Sequence, residues 1–221
     1  MAQRPRNKFS SGVKAVGKVN NHAVAGKAKA LLRLNVLGEI ERAVVFDAFA
    51  GSGEMFRQVW HQAAGYVGCD TTWYRDERRV FVADNRRVLR AIDLAPFNVF
   101  DLDSYGSPWE QAIIIAARRP VQRGERIGLV LTEGSGLKLK LGGYPAALRL
   151  LAGLRGAPAG GARGQDELTD RAIAGLCRRM GAQVLRRWQA RGKTGAGVRY
   201  IGLVIEGVDK KIAAEPEGAA A

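Results

Sequence analysis

The segment Asp101-Leu102-Asp103-Ser104-Tyr105-Gly106-Ser107-Pro108 carries the residue types needed to handle a planar amine. The lone pair of an exocyclic base nitrogen is conjugated with its ring. Acceptors must therefore hold the nitrogen's hydrogens while the lone pair turns toward an electrophilic carbon. A carboxylate and a backbone carbonyl at a strand end can do this. Asp103, with Ser104 beside it, is the expected acceptor, an orienting group first and a general base second. Tyr105 is placed to stack on the base, a contact that contributes about 1–3 kcal/mol. The same residues also fit an Asx-type turn in which Ser104, Gly106 and Pro108 end a strand and begin a helix. For Asp101, strand alternation leaves two directions open, toward a bound ligand or into a hydrogen-bonded interior.

A second constellation supplies the electrophile. Asp47-Ala-Phe-Ala-Gly51-Ser-Gly53-Glu54 is a Gly-rich turn between an apolar run and a helix-like one. Its glycines tolerate positive φ and let a ligand approach the backbone, although a tight turn without a ligand has the same pattern. Asp70 ends the next apolar run, where a carboxylate can accept both ribose hydroxyls of an adenosyl group or of a dinucleotide. Asp84-Asn85 follow the third, placed for an adenine amino group and ring nitrogen, with a helix N-cap as the other role for Asp84. The expected cofactor-binding set is thus Asp47, Gly51, Gly53, Asp70, Asp84, Asn85 and Asp101, and the expected cofactor is S-adenosylmethionine. NAD is disfavoured because Phe56 stands where GxGxxG has its third glycine. Trp73 and Tyr74 follow Asp70 closely enough for one to border the adenine, but aromatic residues after a strand are more often core, so they stay outside the set. Aligning amine, methyl carbon and sulfonium contributes about 7–11 kcal/mol without a metal. Cys69 and Cys177 lack CxxC spacing, so neither a metal site nor a disulfide is expected.

DLDSYGSPWEQA resembles the Asp-x-Asp-Pro-(Phe/Tyr)-Gly-Ser-Pro segment of the tRNA guanine-N2 methyltransferases of the dimethylguanosine type, and LVLTEGSGL is similar to that family's fifth-strand region. The resemblance runs from Val44 to Leu137, and only the Asp101–Pro108 motif is specific. It implies a class I S-adenosylmethionine-dependent methyltransferase with Asp103 as catalytic carboxylate, Asp47, Asp70 and Asp84 as cofactor ligands, and Tyr105 beside the target guanine. Ser104 stands where the family has proline, and the 221 residues are expected not to include the family's additional C-terminal domain. DNA amino-methyltransferases carry a related motif, so DNA stays open as a substrate beside the favoured RNA.

The elements that must position these residues alternate. VVFDAFAG, YVGCD, RRVFVADN, FNVFDLD and RIGLVLTEG read as strands. GEMFRQVWHQAAG, closed by Gly65, and PWEQAIIIAARR read as helices, and a polar stretch runs to Asp93. Short helices around Pro145–Leu154 and Glu167–Met180 flank a Gly-, Ala- and Pro-rich loop, Gly153–Gly164. AQVLRRWQA and VRYIGLVIEG form a hairpin through RGKTGAG. Parallel strands need crossovers, and the late hairpin adds an antiparallel strand. The expected fold is α/β, Rossmann-like, of the class I methyltransferase type, a seven-strand mostly parallel sheet with a C-terminal antiparallel hairpin.

Thirty-five Lys and Arg against 21 Asp and Glu give a net charge of +14, which favours a polyanionic partner. No apolar run has transmembrane length and no basic helix has a continuous bulky apolar face, so nucleic acid is expected rather than a membrane. Lys138 and Lys140 follow the fifth strand on the cofactor side, where a phosphate backbone must pass. Residues 1–22 read as a basic flexible arm, 23–211 as the methyltransferase domain, with a helix from about Ala23 to Leu37, and 212–221 as a disordered tail. No apolar h-region follows Met1, so a cytoplasmic location is expected. The reading from another class is a nucleic-acid-binding protein that keeps this fold without turnover.

Overall fold

The computed structural model describes residues 23–141, 143–155, 164–192 and 197–209; the expected arm and tail lie outside them. Seven strands form one sheet: β1 Val44–Asp47, β2 Gly65–Asp70, β3 Val80–Val82, β4 Val99–Leu102, β5 Arg126–Glu133, β6 Ala182–Arg191 and β7 Arg199–Gly207. Their order is β3-β2-β1-β4-β5-β7-β6, and every pair is parallel except those made by β7. The chain leaves β1 toward β2 on one side and later returns to β4 on the other. Beyond the carboxyl ends of β1 and β4, at such a reversal, is where ligands of open α/β sheets bind.

Successive residues of a strand face opposite sides, and the core divides accordingly. Phe46, Phe100, Leu129 and Leu203 join a cluster with Ile115 of α4 (Trp109–Arg118) and Leu176 of α7 (Gln165–Met180). Val45, Val99, Val130 and Val204 join Val36 of α1 (Ala23–Glu39) and Ile40, just past its end, on the other face. Leu32 and Val36 recur at helical spacing and Ile40 follows just past the helix end, which lays one stripe of α1 on β5 and β7. The approach is close because Gly128 has no side chain: a Cβ there would come 2.5 Å from Val36.

Three local outcomes differ from the sequence reading. The long helix expected after Gly53 is a short α2, Glu54–Gln58, then a 3-10 turn, Trp60–Gln62, and Gly65 opens β2. Val59 leaves helical geometry at φ −135, and Trp60 turns inward to a buried partner. The polar stretch before Asp93 holds α3, Asn85–Ala91, whose N-cap is Asp84. After β5 comes an unexpected short helix, α5, Gly136–Lys140, ahead of α6, Ala146–Leu151, which falls within the expected Pro145–Leu154 helix. The predicted mobile loop and hairpin turn fall largely on 156–163 and 193–196, outside the described residues. Among the described residues no helix is long and apolar enough to cross a membrane.

Candidate active site

The carboxyl end of β4 carries Asp101 and Asp103, two residues apart and so on one face of the sheet, the face that α1 covers. Asp101 is spent on the interior. Arg33 reaches it with Nε at 2.6 Å and Nη2 at 2.8 Å, and the Trp60 indole N–H donates at 2.7 Å. Both Arg33 and Asp101 side chains are 1% exposed. Asp101 is therefore corrected from cofactor ligand to buried counter-ion, the second of its two open directions.

Asp103 keeps an outlet, being 15% exposed. Its oxygens meet Lys29 Nζ at 2.8 and 2.9 Å, Thr132 Oγ1 at 2.6 Å and Arg33 Nη2 at 3.2 Å. Burial pushes the carboxyl's pKa up, but Arg33 and Lys29 outweigh it and hold it below the usual carboxylate range. A weakly basic carboxylate suits an orienting acceptor better than a general base. A carboxylate offers about four lone-pair sites. The two Lys29 contacts, Thr132 and Arg33 fill them. Lys29 is the one donor on the solvent side, 18% exposed, with its ammonium 5.4 Å from the Tyr200 ring.

Asp47, at the end of β1, accepts from Phe49 N at 3.1 Å and from the Tyr66 hydroxyl at 3.0 Å. Burial first, and Asp101 second, raise its pKa to about 8 against the pull of Arg33. The folded pKa lies above the unfolded value of about 3.9. The folded state thus binds this proton more tightly, and the associated stability is full below pH ~4 and is lost as pH rises toward ~8. Asp101, also raised, acts with the same sign. Denaturant melts between these limits should show wild-type stability falling with pH, and Asp47→Asn should flatten the fall; an unchanged slope in the variant would place the titrating group elsewhere.

The turn after β1 is held in place by Arg78. Gly51 and Gly53 have φ of 45 and 82, in the left-handed region. At Gly53 a Cβ would come 2.7 Å from the Arg78 guanidinium, which ties down the carbonyls of Ala50 at 2.9 Å and Gly51 at 2.7 Å. Asp70, at the end of β2, accepts from Gly51 N at 2.9 Å and Thr72 N at 2.8 Å. One lone pair on each oxygen stays available. Asp84 takes the N-cap role, accepting from Arg86 N at 2.9 Å and pairing with the Arg86 guanidinium, whose hydrogen bonds lower its pKa. Asn85 is a second correction: its amide donates to Ala48 O at 2.8 Å and accepts from Gln111 Nε2 at 2.9 Å, so it braces the β1 turn against α4 instead of facing an adenine.

Beyond Asp103, Tyr105 is 90% exposed and packs on nothing. Ser104 is corrected from a catalytic role to a tie between strands, because its buried hydroxyl donates to Thr132 O at 3.1 Å and its carbonyl accepts from Gly106 N at 3.1 Å. Glu133, buried at the end of β5, accepts from the Trp109 indole N–H and from Ser135 N. Lys138 is exposed, and the Lys140 side chain lies outside the described set.

Lys29, Arg33, Thr132, Tyr66 and Arg78 were missed by the sequence reading. For Lys29 and Arg33 a signal existed: they continue the stripe of Val36 and Ile40 at steps of four, three and four, placing cations on the buried face of α1. Arg78 gave no such signal, since RDERR reads as a solvated charge run.

No family model matches the chain, and no curated protein matches it. Solved structures match its fold. Trm1 from Pyrococcus horikoshii, solved with S-adenosyl-L-methionine, superposes with a TM-score of 0.59 at 14% identity, over 86% of this chain and 57% of that one. TYW2 from M. jannaschii, in complex with AdoMet, gives 0.54 at 13% identity over 88% and 80%. A putative hemolysin from Streptococcus thermophilus gives 0.50 at 12% identity over 85% and 72%. The chain thus spans 57% of the length of the Trm1 chain it matches. The fold, with its single antiparallel strand β7, is the Rossmann-like class I methyltransferase fold.

Proposed function

We propose that the protein is an S-adenosylmethionine-dependent methyltransferase acting on an exocyclic base amine of RNA. One observation carries the reading: an ionised, outlet-facing Asp103 stands at the end of β4 beside the unpacked ring of Tyr105, one strand away from the Gly51–Asp70 cradle. The narrower form, guanine N2 of a tRNA, rests on the resemblance of DLDSYGSP.

The cradle fits an adenosyl cofactor. Asp70 retains an acceptor on each oxygen for a ribose diol, and the Gly51–Gly53 backbone is open to close approach. Bound there, S-adenosylmethionine supplies an electrophilic methyl group on a sulfonium. This chain's residues do the rest. Tyr105 stacks on the base, and Asp103 accepts an amine hydrogen and fixes the nitrogen's orientation. Lys29 must give up part of its hold on Asp103 for the amine to enter. The proton leaves to water, because the depressed pKa of Asp103 makes it a poor proton acceptor.

Incubation with methyl-labelled S-adenosylmethionine and separate tRNA, rRNA and DNA pools tests the reading. Label is expected in RNA; label in DNA alone would move the substrate, and none in any pool would leave only a binding protein of this fold. Calorimetry tests the cradle independently. Asp70→Ala should weaken S-adenosylmethionine binding by about tenfold or more, the worth of a hydrogen bond to a charged group. Tight NAD binding by the wild type would defeat the cofactor assignment.

A further inference from the structure

Trp73 and Tyr74 were expected in the core, and the structure leaves them outside, Trp73 65% exposed. They lie between β2 and β3, at the margin of the sheet, since among the described residues β3 pairs only with β2. β3 itself exposes Phe81 and Val82. An uncovered edge strand beside four exposed large apolar side chains is a combination that soluble surfaces avoid unless something binds there.

The charge around them selects the occupant. Residues 71–90 hold six arginines against three acids. Asp76 is taken by Arg78 and Asp84 by Arg86. Glu77 is left against Arg75, Arg79 and Arg87, which are exposed and form no ion pair among the described residues. The Arg75 guanidinium lies 5.6 Å from the Trp73 ring centroid. Arg75 also has φ 55, a left-handed conformation rare for a residue with a side chain. The segment is not loose, because Arg78 fastens it to Ala50 and Gly51, and Asp70 fastens Thr72.

We propose that the 71–82 segment is a docking surface for single-stranded RNA, with Trp73 and Tyr74 as stacking platforms and Arg75, Arg79 and Arg87 as phosphate contacts. The proposal rests on the RNA reading above and adds where the strand runs. Aromatic faces accept any base and arginines neutralise the backbone, the combination found in proteins that hold single strands. The segment stands three strand spacings from β4, about 14 Å, so one strand can lie on both Tyr105 and this surface. A protein strand pairing with β3 would use the bare edge but has no need of the unpaired arginines.

The experiment measures anisotropy of a short, labelled, mixed-sequence single-stranded RNA, with S-adenosylmethionine calorimetry and light scattering on the same samples. The double variant Trp73→Ala/Tyr74→Ala should weaken RNA binding by about tenfold or more with an unchanged salt slope. Arg79→Ala/Arg87→Ala should lower the slope by about 0.7 per lost phosphate contact. Cofactor affinity should stay within about two-fold in the arginine variant, which marks the protein as folded. RNA affinity of the aromatic variant within about two-fold of wild type overturns the surface while leaving the RNA reading intact. A dimer that the aromatic variant dissociates, with RNA affinity unchanged, overturns it in favour of self-association. A wild-type protein that binds S-adenosylmethionine but no RNA overturns the reading beneath it.

Discussion

Asp103→Ala is expected to reduce methyl transfer by at least about 10²–10³-fold, the usual cost of removing a preorganised polar group at the reacting centre, while S-adenosylmethionine affinity stays within a few-fold. The variant should fold. Arg33 keeps Asp101 as partner, the buried Thr132 hydroxyl loses one hydrogen bond, and Lys29 can turn its ammonium to water. Asp103→Asn separates orientation from strand ending. The amide oxygen preserves the turn and accepts one hydrogen bond, but it cannot offset charge on the amine and its NH2 group faces the Lys29 ammonium. Activity should fall sharply in both variants; most of the activity retained by Asn would assign Asp103 to the turn alone. Because the Asp103 pKa is held below the usual range, turnover should show no acidic loss from this group near neutral pH. Full turnover by folded Asp103→Ala on its own nucleic-acid substrate would falsify the assignment. Tyr105→Phe should be mild and Tyr105→Ala severe in the same assay, since stacking uses the ring, and neither should alter stability because the ring packs on nothing.

The second large effect concerns folding. Arg33→Met removes the cation from a dry cluster and leaves Asp101 buried with only the Trp60 N–H. Breaking one side of a buried pair costs about 3–5 kcal/mol. That is a large share of a typical total of roughly 5–15 kcal/mol. Denaturant melts should show a strongly lowered midpoint. Arg33→Met/Asp101→Asn should recover much of the loss, because the neutral amide still accepts from Trp60 and no charge is stranded. If the double variant is no more stable than Arg33→Met, the penalty came from lost packing of the Arg33 side chain and not from the orphaned carboxylate.

What the sequence determined by itself was local and periodic. The apolar runs of β1, β4 and β5, the helix from about Ala23 to Leu37 and the late pair of strands all follow from how a side chain's direction repeats along a strand or helix. Of the Leu31, Leu34, Val36 and Leu37 spacing that marks the helix, however, Leu31 and Leu34 end exposed, and the buried stripe runs through Leu32 and Val36. The order of those elements limits the sheet to a few topologies, and strand-end acids then fall at the carboxyl edge because that is where such strands end. Which acids stay available was not legible. Asp101 and Asp103 are two residues apart, share a face and look equivalent in sequence, yet one is sealed and the other open. The difference comes from Arg33, 68 residues away from Asp101, which grips Asp101 with two nitrogens and reaches Asp103 with one, and from Trp60, 41 residues away, which donates to Asp101, at a depth that only the packing of α1 on β5 and β7 sets. Asn85 and Ser104 lost their expected roles for the same reason, since Ala48, Gln111 and Thr132 came within hydrogen-bond reach through tertiary packing. Trp73 reads as core because it follows a strand, and ends outside because β3 is the last strand of the sheet, with no further strand pairing with it among the described residues. Side-chain periodicity is carried by neighbouring residues and can be read along the chain, whereas the pairing of buried charges depends on distances between segments far apart in sequence, and those distances exist only once the chain has folded.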